Sequence, residues 1–145
     1  YAFSASQKRD RITKQIERHH GKELPAHYLG FFDCFNRGDF YEAHEVLEHL
    51  WLGERGRADD AFYKGLIQLA GAFVHLQKNR LRPAASLFDL ARSNLRRYPD
   101  LHHCLDTVMV IRVIDEWRGR IEASGFAVNP LNLVAAPRLT PCDSP

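Results

Sequence analysis

Long apolar runs are missing from this sequence. The most apolar stretch, around Leu66–Leu76, is interrupted by Gln68 and His75 and is too short to span a bilayer. No membrane role is expected from it. The start is polar and basic with no apolar core behind it, so it does not read as an export signal. Cysteine is scarce. Cys34, Cys104 and Cys142 are odd in number, widely spaced and never at metal-ligand spacing. They read as thiols in a reducing compartment, and the expectation is a cytoplasmic protein. No glycine-rich phosphate loop, no Gly-x-Ser-x-Gly and no Cys–His arrangement appears. Strong charge of one sign is lacking too: 20 Lys and Arg against 18 Asp and Glu leave a net charge of +2. That balance gives no general argument for nucleic acid.

What remains is a globular composition, 45% apolar over 145 residues, enough for one domain with one sizeable core. Charge is uneven along the chain. Residues 39–60 hold seven acids against two Arg, and residues 80–100 hold five Arg against two Asp. Such faces can pair subunits or steer a ligand, although solvated helix faces are the commoner outcome. Homo-oligomerisation or a protein partner is the association expected. Arg82, Arg92, Arg96 and Arg97 could touch phosphates, but no interleaved aromatics or helix-turn-helix pattern supports a nucleic-acid partner.

Turn signals cut the chain into helical blocks, with no alternating strand pattern longer than a few residues. Ser4 or Ser6 can cap a first helix that reaches His20 and stops at Gly21. It is mostly polar, with Ile12 and Ile16 as its apolar stripe. Pro25 opens a second helix through Phe31, Phe32 and Phe35, ending near Gly38. Asp39 and Glu42 suggest a capping box for a third, which Gly53 and Gly56 end. A fourth runs from Asp59 or Asp60 to about Asn79 and is apolar over so wide an arc that it must be central. Pro83 lies in the first turn of a fifth helix that ends near Tyr98. A sixth is expected from about Asp100 to Ala123. Residues 126–145 are proline-rich and read as an extended tail, partly packed through Leu131, Leu133 and Val134. The reading is all-α: a single-domain helical bundle of about six helices over residues 1–125, with an extended C-terminal tail.

The densest chemistry is on the third helix. At 100° per residue Phe40, Ala43, His44, Leu47, Leu50 and Trp51 share one face. His44 lies inside this apolar stripe and Glu48 one turn later at its border. Glu45 lies further round, and Glu42 and His49 further still. A buried His44–Glu48 pair has three uses: metal ligation, acid–base chemistry, or a hydrogen-bonded core pair. More ligands must come from the fourth helix, where Gln68 and His75 are seven apart and share a face, with Tyr63 as an added phenol. The candidate pocket is therefore His44, Glu45, Glu48, Tyr63, Gln68 and His75. His44, Glu48 and His75 are its metal set, with a divalent metal as the cofactor to test. A carboxylate-bridged dimetal centre fails on pattern, because the chain's one Glu-x-x-His is Glu17–His20. His102 and His103 are read as the surface start of the sixth helix. Asp106 is i+4 from His102, and no third ligand is identifiable.

The string from Phe35 to Trp51, "FNRGDFYEAHEVLEHLW", followed by "FYKGLIQLA" at residues 62–70 and then His75, resembles the family called domain of unknown function 309. This is a group of small all-helical prokaryotic proteins, and the likeness is closest over about residues 31–98. It implies a compact helical fold and brings no activity with it. The family pattern contains Glu42, His44, Glu45, Glu48, Gln68 and His75, all present here, which implies a shared pocket between the third and fourth helices. Two functions are carried forward. One is a binding or scaffold protein with a polar His/Glu cluster between these helices. The other is a small metal-dependent or acid–base enzyme, hydrolase-like, using His44, Glu45, Glu48 and His75.

Overall fold

A computed structural model describes residues 5–16 and 24–142. It contains α1 (Ala5–Ile16), α2 (Ala26–Asn36), α3 (Phe40–Leu52), α4 (Asp60–Gln77), α5 (Leu81–Leu95) and α6 (Thr107–Ala123). A small hairpin, β1 (Leu101–His102) and β2 (Leu105–Asp106), precedes α6, and one 3₁₀ turn covers Pro130–Asn132. The helical-bundle expectation is met. The first helix's cap at Ser4 and its end at His20 and Gly21 lie outside the described residues, as do Glu17 and His19.

Helix α4 is the centre. It buries Phe62, Tyr63, Leu66, Leu69, Phe73 and Leu76 among others, and α3 and α5 flank it. Helix α2 packs on α3, α6 packs on α5, and α1 crosses α2 and α3. The close fit of α4 on α5 depends on Gly65. A Cβ there would stand 2.9 Å from Leu95 Cγ, closer than carbon atoms pack. An aromatic chain ties the layers. Phe40 stacks on Phe73 at 4.9 Å between ring centroids, and Phe73 meets Trp117 of α6 edge-on at 5.0 Å.

The C-terminal segment is fastened rather than loose. Asn36 donates to the Leu139 carbonyl at 2.7 Å and accepts from the Leu139 amide at 2.7 Å. Leu139 is fully buried, and Asn129 Nδ2 donates to the Leu76 carbonyl at 2.6 Å. Leu131 and Val134 pack on the body as expected, whereas Leu133 is 69% exposed.

Two local expectations change. Asp39 precedes α3 but does not close a capping box; its carboxylate accepts from Arg37 Nε at 3.1 Å instead of a helix amide. The sixth helix starts at Thr107, not near Asp100. Asp106 is its cap and accepts from Met109 N at 2.9 Å. Residues 101–106 form the hairpin, with Leu101 opposite Asp106 and His102 opposite Leu105. Its two-residue turn is His103-Cys104, both at positive φ (47° and 60°). That is the geometry for which Asn-Gly is the usual sequence, so nothing in His-Cys announced it.

Candidate functional site

A groove of about 340 Å³ runs between α3, α4 and α5. Ile67, Gly71, Val74 and Leu87 give it an apolar floor, and Tyr41, His44, Gln68, His75 and Lys78 supply its polar atoms. Helical spacing explains the wall: Ile67, Gly71, Val74 and His75 on α4 and Lys78 at its C-cap recur at three or four residues. Gly71 holds the groove open where α5 comes close, since a Cβ there would meet Leu87 Cδ1 at 3.1 Å. Gln68 is fixed from the far side, with its Oε1 accepting from Asn94 Nδ2 at 2.7 Å.

The two histidines are the unusual feature. His44 Nδ1 and His75 Nδ1 are buried and have no hydrogen-bond partner among the described residues. A buried polar nitrogen without a partner costs about 1–3 kcal/mol. Burial lowers the His44 pKa; Glu48 and Glu45 oppose that shift, and Lys8 adds to it. Burial also lowers His75, with the charges of Arg80 and Lys78 acting in the same direction. Both rings are thus driven toward the neutral form. His44 Nε2 lies 3.4 Å from Glu48 Oε2. A carboxylate can only accept, so this contact favours the tautomer with its proton on Nε2 and a lone pair on Nδ1.

The six residues of the expected pocket do not stay together. His44, Gln68 and His75 line the groove. Glu48 touches His44 from beside it and also contacts Lys8 Nζ at 3.5 Å. Glu45 turns away to α1, where Arg11 Nη2 donates to Oε2 at 2.6 Å. It is 4% exposed, so Glu45 and not Glu48 is the buried carboxylate of α3. The helical wheel of α3 could not show this, because the cover comes from α1. Tyr63 lies at the other end of α4, parallel to the His103 ring with centroids 6.0 Å apart.

Residues 28–87 match the family model described as a domain of unknown function (DUF309). These residues belong to the domain of unknown function 309 family. Every residue lining the groove, from Tyr41 to Leu87, falls inside the DUF309 segment. No curated protein and no solved structure matches the chain.

A second cluster lies partly outside the DUF309 segment. Asp59 Oδ1 is 2.8 Å from His102 Nε2, and Asp59 Oδ2 is 2.8 Å from His103 Nε2. Burial would raise the Asp59 carboxyl, but hydrogen bonds from His103 and His102 and the charges of both rings outweigh it and hold the pKa below the usual value. Among the described residues this is the one set of three His, Cys, Asp or Glu side chains whose ligand atoms all lie within 4.8 Å of one another. The histidines are therefore not a surface helix start. The third residue is Asp59, at the N-terminus of α4 and 43 residues before His102. The adjacent His-His pair was the sequence's only signal; the hairpin that turns it onto Asp59 was not legible.

Proposed function

We propose that this is a small-molecule binding protein whose ligand occupies the α3–α4–α5 groove. The observation that carries this reading is that His44 and His75, each with a buried, unpartnered Nδ1, are two residues lining one mainly apolar groove. Sites for small ligands have this composition, an apolar lining with a few fixed polar atoms. Lys78 is the one cation in the lining and stands one turn from His75. The chemistry that fits is a small carboxylic acid with an apolar body. Its carboxylate would meet Lys78 and an N–H of His75, and its tail would cover Ile67, Val74 and Leu87.

A second reading, acid–base catalysis, is favoured by the Glu48–His44 contact alone. That contact would orient His44 with a bare Nδ1 able to accept a proton. Both readings use the same groove, and they differ in whether a bound acid leaves unchanged.

The test is a thermal-shift series from butyrate to octanoate beside the matching alcohols, on the wild type, His75→Ala and Lys78→Ala. The reading expects midpoints to rise with tail length for the acids, to rise less for the alcohols, and to lose the acid preference in Lys78→Ala. Equal shifts for acids and alcohols in the wild type would remove the carboxylate from the proposal. No shift with any chain length would remove the groove.

A further inference from the structure

We infer that Asp59, His102 and His103 form a binding site for one divalent transition-metal ion of the zinc class, separate from the groove. Three observations carry this. The first is the donor set. Two imidazoles and one carboxylate converge from two segments, and this combination suits Zn(II), Fe(II), Co(II) and Ni(II).

The second is the spacing. Ligand atoms on a tetrahedral ion, each about 2.0–2.1 Å away, are about 3.3–3.4 Å apart. Each histidine Nε2 already lies 2.8 Å from its own oxygen of Asp59. One ligand atom from each of the three residues lies within 4.8 Å of the others, so the side chains stand close enough to adjust around one ion.

The third is that the fold holds this arrangement against local preference. Adjacent residues in a strand point to opposite faces. Here the positive φ of His103 folds its ring back beside that of His102, with centroids 4.3 Å apart. Left-handed backbone at two successive non-glycine residues is unfavourable. Tyr28 is buried and donates to the His103 carbonyl at 3.0 Å, which pins the turn. Phe62 meets His102 edge-on at 4.7 Å, and Tyr98 lies 4.9 Å from the same ring. The rings are oriented before any ion arrives, as supporting residues orient metal-binding histidines elsewhere.

In the ion-free protein each ring points an Nε2–H at the carboxylate. Binding takes the proton off each Nε2 and presents its lone pair to the ion, and a proton kept by the ring then sits on Nδ1. Asp59 supplies one negative charge, which leaves a bound divalent ion with a net charge of +1. The three side chains are 22–29% exposed, so the remaining coordination positions face water. A three-ligand site with open positions is the form used for exchangeable or reactive ions rather than closed structural ones.

The experiment is isothermal titration of the full chain with Zn(II) at neutral pH, beside imidazole ¹⁵N NMR of the same sample. One ion per chain is expected, with the Nε2 of His102 and of His103 both changing from proton-bearing to metal-bound. His102→Ala and Asp59→Asn should each weaken binding by more than the roughly 10–100-fold that loss of a supporting residue costs. His44→Ala and the double variant Cys104→Ser with Cys142→Ser should bind as the wild type does. If His102→Ala fails to fold, the change at the two Nε2 atoms in the wild type decides alone. Absence of a one-to-one site, unchanged His102 and His103 Nε2 signals, or loss of binding in the cysteine variant would each overturn the assignment.

Discussion

Removing Arg11 exposes how α1 is held. Glu45 is 4% exposed and its charge is met by Arg11, whose side chain is 19% exposed. Deleting one partner of a buried ion pair costs about 3–5 kcal/mol when the remaining charge stays buried. Here the fold has a cheaper exit. Helix α1 can lift away and let water reach Glu45, giving up mainly the burial of Ile12, which is 4% exposed. Burying such a side chain contributes about 1.5–3 kcal/mol. The cost of Arg11→Ala is therefore capped at about 3 kcal/mol, and it should appear as local opening of α1 rather than collapse of the bundle. Urea unfolding with amide hydrogen exchange resolved by mass spectrometry measures both. Protection should fall across residues 7–16 while α4 keeps its own. Glu45→Gln should cost less, because the charge it leaves behind is near water. Arg11→Met with Glu45→Leu should be close to neutral. A loss below about 0.5 kcal/mol for Arg11→Ala, the range of exposed pairs, would refute the reasoning, as would unchanged protection in α1.

Other outcomes follow from the same contacts. Gly65→Ala forces a Cβ against Leu95 and should destabilise by about 1–3 kcal/mol in chemical denaturation; a neutral or stabilising result would mean that α4 and α5 are not so closely packed. Asn36→Ala removes both hydrogen bonds that hold Leu139, so limited proteolysis should cut near residues 136–142 faster than in the wild type, with the bundle intact. The His44 and His75 pKa values are lowered in the fold, so the unfolded chain binds more protons below its ordinary histidine pKa. The stability this represents is fully present above about pH 6.5 and is lost as pH falls from there toward the folded values. His44→Gln and His75→Gln should each flatten that slope below about pH 6.5; equal slopes in all three proteins would contradict the neutral-imidazole reading.

The helices were legible because their signals are local. Gly53, Pro83 and the apolar arc of α4 each mark an element within a few residues, and each stands where those signals put it. His44, Gln68 and His75 came together for a similar reason: α3 and α4 follow one another and pack side by side, so the faces named from periodicity meet. Glu45 and Tyr63 failed because their neighbours come from elsewhere. Arg11 on α1 claims Glu45, and the 101–106 hairpin claims the end of α4 where Tyr63 lies. The Asp59–His102–His103 cluster was the least legible. It joins residues 43 and 44 apart through a turn whose backbone His-Cys does not advertise.

The central claim is that His44 and His75 meet a ligand in the groove. Its most direct test is the imidazole ¹⁵N spectrum of the protein at neutral pH, titrated with octanoate. Both rings should begin neutral, and the His44 and His75 nitrogens should shift in a saturable way while those of His102 and His103 stay fixed. Octanoate that shifts neither His44 nor His75, or shifts all four rings alike, would contradict it.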